Sequence, residues 1–492
     1  MAGSEPARRM TRRTGFRRHW KIRRPIAQIA RAAAGWVLVF ALFYSPWDFG
    51  ATSASAIRNL NLLLVLSFAF WLIGSAASRR RDQQPSSDGG GRFSSTLLFL
   101  FSILLLAFGW GMALNAHSLQ DGDYLALLPL SSPLPSAPGS IDYALSVALM
   151  RRVTALLASV WVIADLSQDE NWLLRFWWAI GLAGGSIALL GLIQKATGAP
   201  MIFWAPLDPG EPSIGTFFAT YYYHGNAGAY LNLALPAVIG LAYRYLTRRS
   251  HPAARALWLT LLLIMIVAVI SDTSRMGQLI AILMAVTLAL VSAGRLFRRF
   301  RYLEIKTAVI ALLVVGLGFW AIVRVSHLDQ SLGRWLNFRE TWANDARWLV
   351  DQAALAALPR TGAWGLGPGT FAVAFPWFNH LDRHAQGDWL FLHNDYLQTL
   401  MEWGWVGGIF WTAYFLAPLI IALRGLTDRS EFAAWSGRRR LFLLVSVVAL
   451  GGVALHALVD FPLQISSIQL YVATYLGICW GSSKWSLARS VN

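Results

Sequence analysis

The sequence has 492 residues, of which 56% are hydrophobic and 14% are charged, and its mean hydropathy is +0.48. Soluble proteins carry about 25% charged residues, so this composition excludes an ordinary soluble domain and predicts an all-α polytopic membrane protein. The net charge of +17 is scattered over short segments; this argues against nucleic-acid binding and favours attraction to anionic membrane lipids.

Apolar runs long enough to cross roughly 30 Å of hydrocarbon, at about 20 residues each, recur along the chain. They predict twelve transmembrane helices, at 28–47, 57–77, 95–115, 142–165, 172–193, 227–246, 256–272, 276–294, 307–325, 403–423, 441–460 and 464–482. The predicted organisation is a basic cytoplasmic tail (1–30), transmembrane helices 1–9 (31–325), a large outside loop (326–402), transmembrane helices 10–12 (403–482) and a short cytoplasmic tail (483–492).

The basic residues predict the orientation of these helices, because Lys and Arg that flank a span are retained in the cytoplasm. With the N-terminus inside, 30 of the 42 Lys and Arg residues fall in inside segments, whereas the loop at 116–141 has none. Both termini are therefore expected in the cytoplasm and the large loop outside.

The large loop is predicted to contain one or two helices lying over the membrane. Apolar residues recur there at helical spacing, at Trp342, Ala346, Leu349, Ala353 and Ala356. The following "GLGPGTF" at 365–371 lacks the strand, the helix and the Lys-Ser/Thr pair of a phosphate-binding P-loop. We interpret it as a turn.

Four polar residues lie where the large loop re-enters the membrane: His393, Asn394, Asp395 and Glu402. The imidazole of His393 can accept a proton from an alcohol at neutral pH, as a hydroxyl nucleophile requires. The structural alternative is that Asn394 or Asp395 caps the following helix. Both interpretations can hold, on different residues.

Four arginines stand at unusual positions for a membrane protein. Arg275 lies in the short outside turn "SDTSRMG", against the retention rule, which indicates either an anionic ligand or pairing with Asp272 or a lipid phosphate. Arg347 is either a phosphate ligand or an ordinary loop residue. Arg151 and Arg152 lie near the middle of the fourth predicted span, so they are functional or that span is misplaced.

Other reaction classes lack their motifs. The single cysteine, Cys479, permits no intramolecular disulfide and no cysteine metal site. HExxH, CxxC and GxSxG are absent, which removes support for zinc hydrolase, thiol redox and serine hydrolase chemistry. We expect no metal and no cofactor.

Several segments together resemble the O-antigen ligase and polymerase family of bacterial polysaccharide glycosyltransferases. They are "GTFFATYYYHGNAGAYLNLALP" at 215–236, "SDTSRMGQLIAIL" at 271–283, "FLHNDYLQTLMEWGWVG" at 391–407 and "HALVDFPLQI" at 456–465. Their order along the chain and their shared placement at the outer face make the resemblance specific. It covers roughly residues 170–480.

The resemblance implies a multi-span fold of the GT-C class of lipid-linked sugar transferases. It implies transfer of a glycan from an undecaprenyl diphosphate carrier to an acceptor hydroxyl, at the periplasmic face of the bacterial inner membrane and without a metal. His393 matches the family's loop histidine and is expected to be the general base, with inversion at the sugar carbon. Arg275 and Arg347 match its outer-face arginines and are expected to bind the diphosphate.

The resemblance leaves several points open. The acceptor is another glycan, a lipid A core or a protein. Tyr221–His224 precedes Asn226 where the family commonly has an Asn-Pro-Asn segment, and His456 with Asp460 forms a possible second acid-base pair. A lipid-glycan transporter or flippase, suggested by twelve spans and by Arg151 at mid-membrane, and a structural subunit are the alternative functions.

Overall fold

The computed structural model describes residues 14–78, 89–121, 126–206, 217–247, 251–300, 316, 320, 333–337, 345–382, 389–428, 430 and 435–485. Within these ranges the chain is mainly helical. The helices are α1 (Thr14–Trp47), α2 (Ala54–Ser78), α3 (Gly89–Leu114), α4 (Tyr143–Leu166), α5 (Glu170–Ala196), α6 (His224–Thr247), α7 (Pro252–Ser271), α8 (Arg275–Phe300), α9 (Ala346–Thr361), α10 (Phe371–Asp382), α11 (Asp395–Thr427), α12 (Gly437–His456) and α13 (Ser466–Ser482). The named strands of the described ranges are β1 (Ser118–Gln120) and β2 (Leu127–Pro129), an antiparallel pair with Leu119 opposite Leu128.

Ten of the described helices, α1 to α8, α11 and α12, are long and apolar enough to cross a membrane. The prediction of an all-α polytopic membrane protein is therefore confirmed, and these ten helices coincide with ten of the twelve predicted spans. The span predicted at 307–325 lies outside the described residues. The last predicted span coincides with α13, whose 17 residues cover about 25 Å at 1.5 Å per residue.

The two most buried helices, α6 and α13, lie at the centre of the bundle. Tyrosine hydroxyls join them: Tyr230 and Tyr471 are 3.0 Å apart at their oxygens, and Tyr475 donates to the carbonyl of Leu233. Hydrogen bonds of this kind hold helices together where no water competes. The helix α2, by contrast, packs mainly on α1 and α4 and exposes much of its apolar surface.

The large loop contains the two helices α9 and α10, which confirms the prediction of helices there. The buried face of α9 consists of Val350, Ala353, Ala354 and Ala357. These residues pack on Phe371 and Met401 in a small core separate from the main bundle. Of the apolar residues whose spacing predicted this helix, Ala353 lies on the buried face and Leu349 is 40% exposed, because apolar residues occupy both faces of the helix.

Consecutive antiparallel helices bring distant polar segments to one end of the bundle. The C-termini of α5, α7 and α12 lie there together with the N-termini of α6, α8 and α11. We call this the site end of the bundle. The short described segment 333–337 and the start of α9 also contact it.

Candidate functional site

Tyr223, just before α6, is the centre of the polar cluster at the site end. Its hydroxyl accepts a hydrogen bond from Arg347 Nη2 at 2.7 Å and donates one to Asp460 Oδ2 at 3.1 Å. Burial, together with the charge of Asp460, raises the pKa of the Tyr223 phenol well above its usual value, so it stays protonated and can keep donating. The network fixes the Arg347 guanidinium relative to the carboxylate.

Asp460, a secondary candidate from the sequence, is buried between two helices. Its Oδ2 lies 3.9 Å from Nε2 of His456, the other half of the predicted acid-base pair. Burial raises the pKa of the Asp460 carboxyl to about 6, although Arg347 opposes the shift. A Cβ at Gly225 would lie 2.3 Å from Asp460 Oδ2, so glycine is required there for the carboxylate to approach α6.

His393 lies against Tyr223 inside a cage of aromatic rings. Its ring is edge-on to those of Tyr223, Trp389 and Phe461, with centroids at 6.1, 5.4 and 4.9 Å. Its Nδ1 is buried and has no hydrogen-bond partner. Burial first, and then Arg347 and His224, lower the pKa of the His393 imidazole to about 3. The ring is therefore neutral and is held by three aromatic contacts, and its Nδ1 makes no hydrogen bond.

Arg334 lies next to Arg275 at the site end. It was not among the candidate site residues predicted from the sequence. Arg334 Nη1 lies 3.2 Å from His224 Nε2 and 3.2 Å from Thr273 Oγ1, and its carbonyl accepts from Arg275 Nη1 at 3.4 Å. Because a guanidinium only donates, Nε2 of His224 must accept and its proton must sit on Nδ1. No local motif marks Arg334, since the signal is a three-dimensional contact between a loop and α6.

Lys195 and Asp272 complete the charges of the cluster. Lys195, at the end of α5, donates to the carbonyl of Ser271, and Oδ1 of Asp272 is buried without a partner. Burial raises the pKa of the Asp272 carboxyl well above its ordinary value, opposed by Lys195. Arg275, whose alternative role is a pair with Asp272 or with a lipid phosphate, donates through Nη1 to the carbonyl of Arg334. Arginines, a lysine and unpartnered polar atoms thus face one region.

Asn394 and Asp395 have structural contacts instead of facing this cluster. Asn394 caps α11 by accepting from the backbone N–H of Leu397. Asp395 is buried and accepts from the backbone of Leu463 and from Gln464 Nε2, each at 2.8 Å. The capping alternative holds for Asn394, while Asp395 ties the start of α11 to the segment after α12.

Glu402 fastens the glycine-rich turn. It accepts from the backbone N–H groups of Gly369 and Phe371, at 2.9 and 3.2 Å, and from Gln398. These amides are therefore occupied by a protein carboxylate, in agreement with the interpretation of "GLGPGTF" as a turn. Gly404, with φ of 61°, bends α11 just beyond this contact.

The remaining candidates, Arg151, Arg152 and Asn226, differ in their contacts and exposure. Both Arg151 and Arg152 lie within α4, which is long and apolar enough to cross a membrane and agrees in its bounds with the fourth predicted span. Arg152 Nη1 donates to the carbonyl of Gln464 and to Ser466, whereas Arg151 is exposed on the helix surface. Asn226 is buried in the first turn of α6 with its Oδ1 unpartnered, next to the cluster.

Among the described residues, His, Cys, Asp and Glu side chains form no group of three or more that could hold a metal ion. The cations gathered at the site end are the guanidinium groups of Arg275, Arg334 and Arg347 and the ammonium group of Lys195. Such groups bind phosphate oxygens through charge-assisted hydrogen bonds, which arginine makes in pairs.

Residues 260–412 match the family model described as O-antigen ligase. This range is narrower than the region of resemblance seen in the sequence; it contains Arg275, Arg334, Arg347 and His393 but leaves out Tyr223. No curated protein matches the chain.

Proposed function

Because the chain carries an O-antigen ligase domain at residues 260–412 within a multi-span helical membrane protein, we propose that it is a membrane glycosyltransferase. It transfers a glycan from an undecaprenyl diphosphate carrier to the hydroxyl of an acceptor. The single observation that carries this proposal is that Arg347 and His393 both contact Tyr223, Arg347 at the hydroxyl and His393 at the ring. A cation for the leaving group and a base for the nucleophile therefore lie against the same side chain.

The diphosphate binds the arginines. Arg275, Arg334 and Arg347 come from three separate segments and meet beside His224. As the bond between the sugar and the diphosphate breaks, negative charge develops on the leaving oxygen, and fixed guanidinium groups stabilise it without rearranging. Asp460 and Tyr223 hold Arg347 in place for this task.

His393 acts as general base. It takes the proton of the acceptor hydroxyl as that oxygen forms a bond to the sugar's anomeric carbon, and the diphosphate departs with the electrons of the broken bond. Attack opposite the leaving group inverts the anomeric carbon. The bound diphosphate offsets the positive charge of Arg347, which lowers the pKa of His393 in the free protein, so donor binding makes the base stronger.

The reaction is placed at the periplasmic face of the bacterial inner membrane, with both termini in the cytoplasm. The distribution of Lys and Arg supports this orientation, and a lipid-linked donor keeps its diphosphate at the membrane surface. The acceptor is a second glycan, a lipid A core or a protein hydroxyl. These acceptors share the donor, the base and the leaving group.

The test uses the purified chain in lipid nanodiscs with an undecaprenyl-diphosphate oligosaccharide, alone and with lipid A core, and mass spectrometry of the products. His393→Ala should lower transfer by about 10²- to 10⁴-fold, the usual contribution of general base catalysis, while donor binding persists. His251→Ala is the matched control, because His251 is an exposed helix cap at the opposite end of α7.

The products of the transfer assay distinguish the alternative functions. A chain-length ladder from donor alone indicates a polymerase, and a core-linked glycan in the second reaction indicates a ligase. Full transfer by His393→Ala would overturn the assignment of the base. Donor that crosses the membrane chemically unchanged, with no product in either reaction, would favour the transporter.

A further inference from the structure

A cluster of aromatic side chains, three exposed and one half-buried, adjoins the candidate site. We call Phe49, Phe203, Trp204 and Tyr222 the aromatic platform. The ring of Phe49 stacks on Tyr222 with centroids 5.9 Å apart and meets Phe203 edge-on at 5.5 Å. Phe203, Trp204 and Tyr222 are 39%, 43% and 42% exposed. Large apolar rings from three distant segments thus present a joint surface outside the protein core.

The backbone beneath the platform is strained. Phe49, Phe203 and Trp204 have φ of 50°, 55° and 58°, in the left-handed region that disfavours residues with a Cβ. Such conformations cost free energy and persist where surrounding structure enforces them, which is characteristic of binding sites. An aromatic side chain needed only for the membrane interface could be carried on an ordinary helix, so the strain indicates that the ring positions matter.

The platform shares its supporting segments with the cationic cluster. Tyr222 directly precedes Tyr223, which holds Arg347. Residues 202–204 follow the end of α5, which carries Lys195, and Trp204 Nε1 donates back to Thr197 Oγ1 at 2.9 Å. A ligand whose diphosphate lies on the arginines would therefore have its next group beside these rings.

The location of the platform relative to the ends of the spanning helices indicates which part of the donor can reach it. Phe49 lies beyond the end of α1, residues 203 and 204 lie beyond α5, and Tyr222 precedes α6. All four side chains belong to segments outside the spanning helices, whereas an isoprenoid tail runs in the hydrocarbon. The diphosphate and the glycan are the parts of the donor that remain outside the hydrocarbon, and in the proposed function the diphosphate lies on the arginines, which leaves the glycan for the platform.

We propose that the aromatic platform is a sugar-binding subsite for the donor glycan, on which the C–H face of a pyranose ring stacks. This proposal rests on the proposed function and adds to it a recognition element for the glycan itself. The platform takes no part in the proposed diphosphate contacts. Substitutions in it should therefore affect the binding only of donors that carry sugar.

The experiment measures binding of two lipids to the chain in nanodiscs, undecaprenyl diphosphate and the same lipid bearing an oligosaccharide. Phe203→Ala and Tyr222→Leu should weaken binding of the glycosylated lipid by about fivefold, the scale of one aromatic contact. Binding of the bare lipid should not change. Tyr222→Leu keeps apolar bulk while it removes the aromatic ring and its hydroxyl.

Trp377→Ala is the matched control, because Trp377 is 68% exposed on α10 and lies outside the platform; it should alter neither affinity. Equal losses for both lipids would overturn the proposal in favour of a tail or headgroup contact. No loss for either lipid would also overturn it and leave an interfacial aromatic belt. Arg275→Ala and Arg347→Ala test the diphosphate assignment separately, since both should weaken the bare lipid.

Discussion

At the scale of single residues, residue type identified some members of the polar cluster at the site end. It did not identify the residues that form hydrogen bonds with them. His393 stood out because an imidazole can accept a proton from an alcohol at neutral pH, whereas Arg347 was an ordinary loop arginine until the family resemblance indicated a role for it. Tyr223 did not stand out, since it is the third of three consecutive tyrosines, and nothing in the sequence says which of them is buried between Arg347 and Asp460. Its role follows from two hydrogen bonds across the bundle.

Asp460 gives a prediction about pH at this scale. Its pKa is raised to about 6, so below pH 6 it gains a proton and loses the charge that orients Arg347 through Tyr223. The transfer rate at low donor concentration should fall as pH drops through 6, well above the value of about 3 at which free His393 is protonated. Asp460→Asn should be slower at pH 7.5 but flat between pH 5 and 7.5; a fall near pH 6 that survives in this variant would assign the titration to another group.

At the scale of elements, the glycine-rich turn shows how a loop is fixed under a helix. Gly367 has φ of 113°, and a Cβ there would lie 2.1 Å from Ser140 Oγ. Gly367→Ala should therefore lower the free energy of unfolding by about 2 kcal/mol or more, through strain plus overlap. The measurement is thermal unfolding of the purified chain in one detergent.

Gly362→Ala separates the two causes. Gly362 has φ of 70° but open space around its Cβ direction, so this variant should cost only the strain, about 1 kcal/mol. Equal losses for the two variants would mean that the overlap with Ser140 contributes nothing.

The helices also show where sequence patterns fail. The spanning helices are long and uniformly apolar, but α9 is short and alanine-rich, and its buried face depends on what packs against it.

At the scale of the whole molecule, the orientation in the membrane is a testable prediction. Cys479 is the single cysteine and is buried, so an added surface cysteine can be labelled specifically. Leu336 is 82% exposed near the cluster, and Ala253 is exposed at the opposite end. In intact cells whose outer membrane is permeable to the reagent, a maleimide that cannot cross the inner membrane should label Leu336→Cys and not Ala253→Cys; the reverse pattern would place the cluster in the cytoplasm.

The sequence by itself determined the class of molecule. Runs of about 20 apolar residues locate membrane helices because each must satisfy its own backbone in hydrocarbon. The motifs at 271–283 and 391–407 indicated the family whose model matches residues 260–412. The tertiary structure decided which polar residues meet. It brought Arg334 to His224 and Tyr223 to Asp460, and it assigned Asp395 and Glu402 to holding backbone segments. Contacts between helices far apart in the chain depend on packing geometry, which no local pattern of residues encodes.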